Sequence, residues 1–215
     1  GAYGIENYKK DIVCILQELN KPAAFIGASL GGMTSLSIAG DSELKELCWS
    51  LVMVDIGLYP NLEGSQEIVN FMHSGSEGFE SVEEAAESVS NYLPHRKRPR
   101  DNRGLEKNLR LKDDGRYYWH WDPRFLDSRP KDIPDDYKEK QKGFAEGVDT
   151  PTLLIKGAMS NILTQNEVDD FLQVISHSEF VEIKEAAHMV AGDRNDIFAA
   201  AAIDFLENHS PLKEN

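Results

Sequence analysis

Phe25-Ile-Gly-Ala-Ser-Leu-Gly-Gly-Met33 decides how the rest of this chain is read. "AAFIG", Ala23 to Gly27, is a short apolar run ending on glycine, as a buried strand does, and "ASLGGMTSLSIAG" continues as a helix of small residues. Strand, sharp turn and helix place Ser29 at the turn, inside the spacing Gly27-x-Ser29-x-Gly31. Small flanking residues let the chain turn sharply. The serine hydroxyl then stands at a helix N-terminus, with the Leu30 N–H aimed at a developing oxyanion. The competing reading is a glycine-rich turn that merely packs strand on helix or cradles a phosphate. A cradle of the usual kinds calls for GxGxxG or Gly-Lys-Ser/Thr, and neither is present here.

Working outward, apolar Ile12, Ile15, Leu16 and Leu19 recur at helical spacing and predict a helix over Ile5–Leu19, ended by Asn20-Lys21-Pro22. "LVMVDIG", "TPTLLIKG" and the alternating "EFVEIKEA" predict three more strands. "NEVDDFLQVIS" and "NDIFAAAAIDFLENH" predict the helices that follow the later two. Strands alternating with helices imply an α/β fold with a mostly parallel sheet covered on both faces. Residues 59–147 break this rhythm and are too long for a plain loop, so the reading is an inserted, mainly helical cap between core segments 1–58 and 148–215. Within it "SVEEAAESVSNYL", "RGLEKNLRL" and "DDYKEKQKGFAEG" read as helices. Asp114-Gly115 reads as the turn of a hairpin, because Asp-Gly supplies the positive φ angles such a turn needs.

A serine nucleophile needs a base. His188, in "EAAHMVAGD", follows the last strand and precedes the last helix, so its loop leaves the same carboxyl edge of the sheet as Ser29. The other five histidines are worse placed, and His120, between Trp119 and Trp121, reads as a packed cap residue.

Composition narrows the classes. The chain has 215 residues, a formal net charge of −14 and a pI near 4.8, a poor match for phosphate-rich partners such as nucleic acid or anionic membranes. The basic run His95–Arg100 reads as a solvated loop or a set of internal ion pairs. Cys14 and Cys48 form neither a disulfide framework nor a metal-ligand spacing, Cys14 in "DIVCIL" reads as buried, and the expected setting is reducing and cytoplasmic. No apolar run reaches the roughly 20 residues that span a bilayer. Neither cofactor nor metal is expected.

The order "GASLGG", inserted cap, "LLIKGAMSNILT", "AAHMVAGD" resembles the α/β-hydrolase fold superfamily, in its branch of small capped bacterial serine hydrolases. The resemblance runs from Tyr3 to Leu206 and implies Ser29 as nucleophile, His188 as base and Leu30 as a backbone oxyanion donor. It further implies a small carboxylic ester or related acyl substrate, with cap aromatics Trp119 and Trp121 lining an apolar pocket. Two departures stand out. The family's acid usually follows the strand "LLIKG", where this chain has Asn161 after Ser160. Asp55, at the end of "LVMVD", is the substitute carboxylate, with capping of a local turn as its competing and slightly favoured role. The second departure is that only one helix precedes the strand leading to Ser29. Early strands carrying the second oxyanion donor would then be missing, and "AAFIG" would be an edge that a second copy could cover. Other readings therefore stay open: a catalytically inactive or truncated relative with a binding role or none of its own, or C–C hydrolase or haloperoxidase-like chemistry on the same residues.

Overall fold

A computed structural model describes residues 3–127 and 134–211. Within the core segments, helix α1 (Ile5–Leu19) leads into strand β1 (Ala23–Ala28) and helix α2 (Leu30–Ala39), followed by a 3-10 turn and strand β2 (Cys48–Val54). After the intervening region, helix α7 (Asp135–Gly147), strand β5 (Thr152–Gly157), helix α8 (Gln165–Val174), strand β6 (Glu179–Ile183) and helices α9 (Val190–Asp193) and α10 (Asn195–Asn208) complete the order. The region between holds α3 (Leu62–His73), α4 (Val82–Tyr92), α5 (Arg103–Glu106), the hairpin β3 (Leu109–Leu111) and β4 (Tyr117–Trp119), and α6 (Arg124–Asp127).

The sheet has the order β1-β2-β5-β6 with every pairing parallel. Its central strands β2 and β5 are buried almost throughout, as near-continuous apolar runs must be when both faces are covered. Along them Val52, Val54, Leu153 and Ile155 join Ile183, Val190 and Phe205 in one cluster, while the equally buried Leu51, Met53 and Leu154 alternate to the other face. Helix α2 packs on β1 and β2. It is buried from Gly32 to Ala39, and its hydroxyls are satisfied inside the helix: Thr34 donates to Leu30 O, Ser35 to Gly31 O and Ser37 to Thr34 O.

The chain divides into two compact units, Gly1–Leu62 with Lys131–Asn215, and Glu63–Pro130. The sequence reading put α7 in the insertion, whereas the structure packs it on α2. Contact is close enough that a Cβ on Gly40 would stand 1.8 Å from Phe144 O, and one on Gly147 would stand 2.4 Å from Gly40 O. Lys9 of α1 adds a third tie, bonding the Asp41 carboxylate and lying 4.6 Å over the Phe144 ring.

Other expectations shift as well. Cys14 is exposed, not buried, as are Ile15 and Leu19, because only one flank of the α1 apolar stripe packs on α2. His120 is likewise exposed, although its ring meets the Trp121 edge at 5.9 Å. "RGLEKNLRL" splits into one turn of helix and strand β3, and α3 adds a helix for which the sequence reading had no element.

The second unit has its own core of Phe79, Val82, Ala85, Leu109 and Trp119. Its hairpin turns at Asp114-Gly115 with Gly115 at φ 77°, the positive angle that motivated the assignment.

Candidate active site

Parallel pairing aligns the carboxyl ends of the strands, and the ladder continues one residue past them. Ser29 N–H donates to Val54 O at 3.1 Å, Asp55 N–H to Ile155 O at 2.7 Å and Ala158 N–H to Ile183 O at 2.9 Å. Ser29 therefore follows β1 at the level where Asp55 follows β2, one strand over.

Both residues hold backbone that side chains rarely adopt: Ser29 has φ 50° and Asp55 φ 52°. At Ser29 the cause is visible in its glycines. A Cβ on Gly27 would lie 2.5 Å from the Gly31 and Gly32 backbone, and one on Gly32 would lie 2.8 Å from Gly27 O and 2.6 Å from Ile56. A Cβ on Gly31 would meet nothing within 4 Å. Strand and helix thus nearly touch at Gly27 and Gly32, and Ser29 is the point about which the chain reverses. Leu30 is the first residue of α2, where helix geometry leaves the N–H without an intrahelical acceptor.

The Asp55 carboxylate is fully buried and, among the described residues, meets three hydrogen-bond partners. Gly157 N–H reaches Oδ1 at 2.8 Å, and on Oδ2 the Ser160 hydroxyl and His188 Nδ1, the latter at 2.8 Å, converge. A buried charge is tolerable only with such compensation. A carboxylate oxygen accepts, so the tautomer with the proton on Nδ1 suits this contact, and it leaves Nε2 as the ring's acceptor.

The loop carrying His188 is held from several directions. Ala187 N–H donates to Asp193 Oδ2 at 2.8 Å, Met159 N–H to Ala186 O at 2.8 Å, and Arg194 pairs with Glu185, whose φ is 59°. Gly157 makes this approach sterically feasible, since a Cβ there would come within 2.3 Å of Ala187 O.

The structure corrects the balance between the two acid candidates. Asp55, read both as the substitute carboxylate and, slightly favoured, as the cap of a local turn, contacts His188, whereas Asn161 is exposed on the bend after Ser160. Trp119 belongs to the second unit's core, stacked on Trp121 at 4.9 Å and edge-on to Phe79 at 5.2 Å. The groove of about 740 Å³ in that unit is lined by Phe71, Tyr92, Glu67 and Glu87 among others, not by either tryptophan. Sequence reasoning missed Gly157 and Ser160. A glycine ending a buried strand was the available signal for the first. Among the described residues, no three His, Cys, Asp or Glu side chains gather where they could hold a metal ion.

The family described as alpha/beta hydrolase fold matches residues 1–194. The chain belongs to that family. A 3-hydroxybutyrate-oligomer hydrolase of Cupriavidus necator is 24% identical over 200 residues, 87% of this chain and 66% of the relative, so the chain spans just under two thirds of that protein. Among solved structures, an E-2-(acetamidomethylene)succinate hydrolase superposes with a TM-score of 0.81 at 18% identity, covering 96% of this chain and 75% of the other. An esterase of Mycobacterium tuberculosis gives 0.73 at 21%, covering 95% and 68%. These structures share the α/β-hydrolase fold, and their own chains extend beyond the matched part. No helix among the described residues is long and apolar enough to cross a membrane.

Proposed function

We propose that this α/β hydrolase is a serine hydrolase acting on a small carboxylic ester or related acyl substrate through an acyl-serine intermediate. The observation that carries the reading is the 2.8 Å bond from His188 Nδ1 to the buried Asp55, at the sheet edge where the strained Ser29 opens α2. His188 Nε2 takes the Ser29 proton as Oγ attacks the acyl carbon, and the Leu30 N–H donates to the oxygen that becomes negative. Asp55 holds the imidazole in the tautomer the step requires and offsets the charge it gains. His188 then protonates the leaving alkoxide. A water, deprotonated in turn by His188, releases the acid and restores Ser29. The relatives named hydrolase and esterase support the reaction class. Intact mass after treatment with a fluorophosphonate tests it: a single adduct is expected, and an adduct that persists in Ser29→Ala removes Ser29 from the role.

A further inference from the structure

We infer that Ser160 is a positioning residue for the Asp55–His188 pair, an assignment that rests on the serine-hydrolase reading only for its kinetic consequence. A carboxylate on a single bond can rotate, and a rotated Asp55 would present its two oxygens unevenly to the imidazole. Two protein donors besides His188 set its plane. Gly157 N–H pins Oδ1 at 2.8 Å, and the Ser160 hydroxyl meets Oδ2, the oxygen that His188 uses.

The direction of the Ser160 bond is determined by its surroundings. Its oxygen accepts from Ile162 N–H at 3.1 Å and, more weakly, from Leu163 N–H at 3.4 Å. With those N–H groups on its lone pairs, the hydroxyl has one proton to give, and Asp55 is where it goes. Ser160 thereby couples the start of the loop after β5 to the orientation of a carboxylate just after β2, and through it to His188 on the loop after β6. Two donors on Oδ2 also divide its negative charge, so the strength of the histidine bond depends on whether Ser160 is present.

The test uses the whole chain and reads the low-field proton NMR resonance of the His188 Nδ1–H, identified by its disappearance in His188→Gln. In Ser160→Ala the resonance is expected to move or broaden by exchange; in Ser160→Thr, which keeps the hydroxyl, it is expected to stay. Turnover of a p-nitrophenyl ester should fall roughly ten- to a hundredfold in kcat for Ser160→Ala, as a small misplacement of a catalytic group does, with KM nearly unchanged and Ser160→Thr restoring the rate. A folded Ser160→Ala protein whose resonance stays in place overturns the assignment whatever its rate. Should that variant fail to fold, Ser160→Cys keeps the volume with a weaker donor, and an unmoved resonance there overturns the assignment equally. The NMR reading needs no turnover. A moved resonance in a protein that takes no fluorophosphonate adduct would reject the hydrolase reading and keep the positioning role.

Discussion

Asp55 Oδ2 lies 2.8 Å from His188 Nδ1 across 133 residues of chain, and no other carboxylate is paired with that nitrogen among the described residues. Replacing Asp55 by Asn leaves an amide that can donate where only an acceptor fits. The expected loss in kcat is about 10⁴-fold, the scale of the corresponding change in a serine protease. Asn161, exposed on the bend, changed to Asp is expected to leave the rate within about twofold, since Asp55 already bonds His188 and the Ser160 hydroxyl. Steady-state kinetics on one ester decide the matter, and a large gain from Asn161→Asp would return the acid to the later loop.

Gly27 and Gly31 look equivalent in the sequence and differ in space. Gly27→Ala drives a methyl into backbone 2.5 Å away and should cost about 1–3 kcal/mol or more, whereas Gly31→Ala meets open space and should be close to neutral. Thermal denaturation of the two variants compares them directly; equal losses would contradict the packing at the turn.

The two thiols should differ in reactivity. Cys14 is exposed, while Cys48 is buried with its pKa pushed up to about 12 by desolvation. A chromogenic disulfide reagent at pH 8 is expected to modify one thiol in the native protein and the second only after unfolding. Rapid modification of both would show that β2 is accessible where the structure closes it.

Lys9 supplies a pH-dependent contribution to stability. Its hydrogen bond holds the Asp41 carboxyl below the usual range, helped by the Glu43 N–H. A depressed folded pKa means stability that is present above the unfolded value near 3.9 and lost as the pH falls through the folded one. Asp41→Asn should therefore be destabilised by about 1.5 kcal/mol at pH 7, with the gap to the parent closing below about pH 4. Urea midpoints at both pH values test this, and a gap that stays constant would remove the ion pair from the account.

Much of the fold was legible because local patterns carried it. The apolar runs of β1, β2, β5 and β6, the glycines around Ser29 and the Asp-Gly turn each require their own conformation from nearby residues alone. The nucleophile and base candidates followed from where these elements begin and end. By contrast, Cys14 sits in an apolar stripe that promised burial, and its exposure depends on which flank of α1 packs on α2. The membership of α7 turned on the glycine contacts at Gly40 and Gly147, which join segments about a hundred residues apart in sequence.

The same division runs through the site. That Ser29 stands at a tight turn, and that His188 leaves the same edge of the sheet, is written in short-range sequence. Which of the two candidates for the acid position faces His188 is not, because Asp55 and Asn161 both follow strands and short-range sequence does not show what either side chain meets. The register of β2 on β5, the left-handed backbone at Asp55 and the close approach of Ala187 to Gly157 bring one of them to the imidazole. A hydrogen bond is decided within a few tenths of an ångström, and only the packed sheet sets distances that finely.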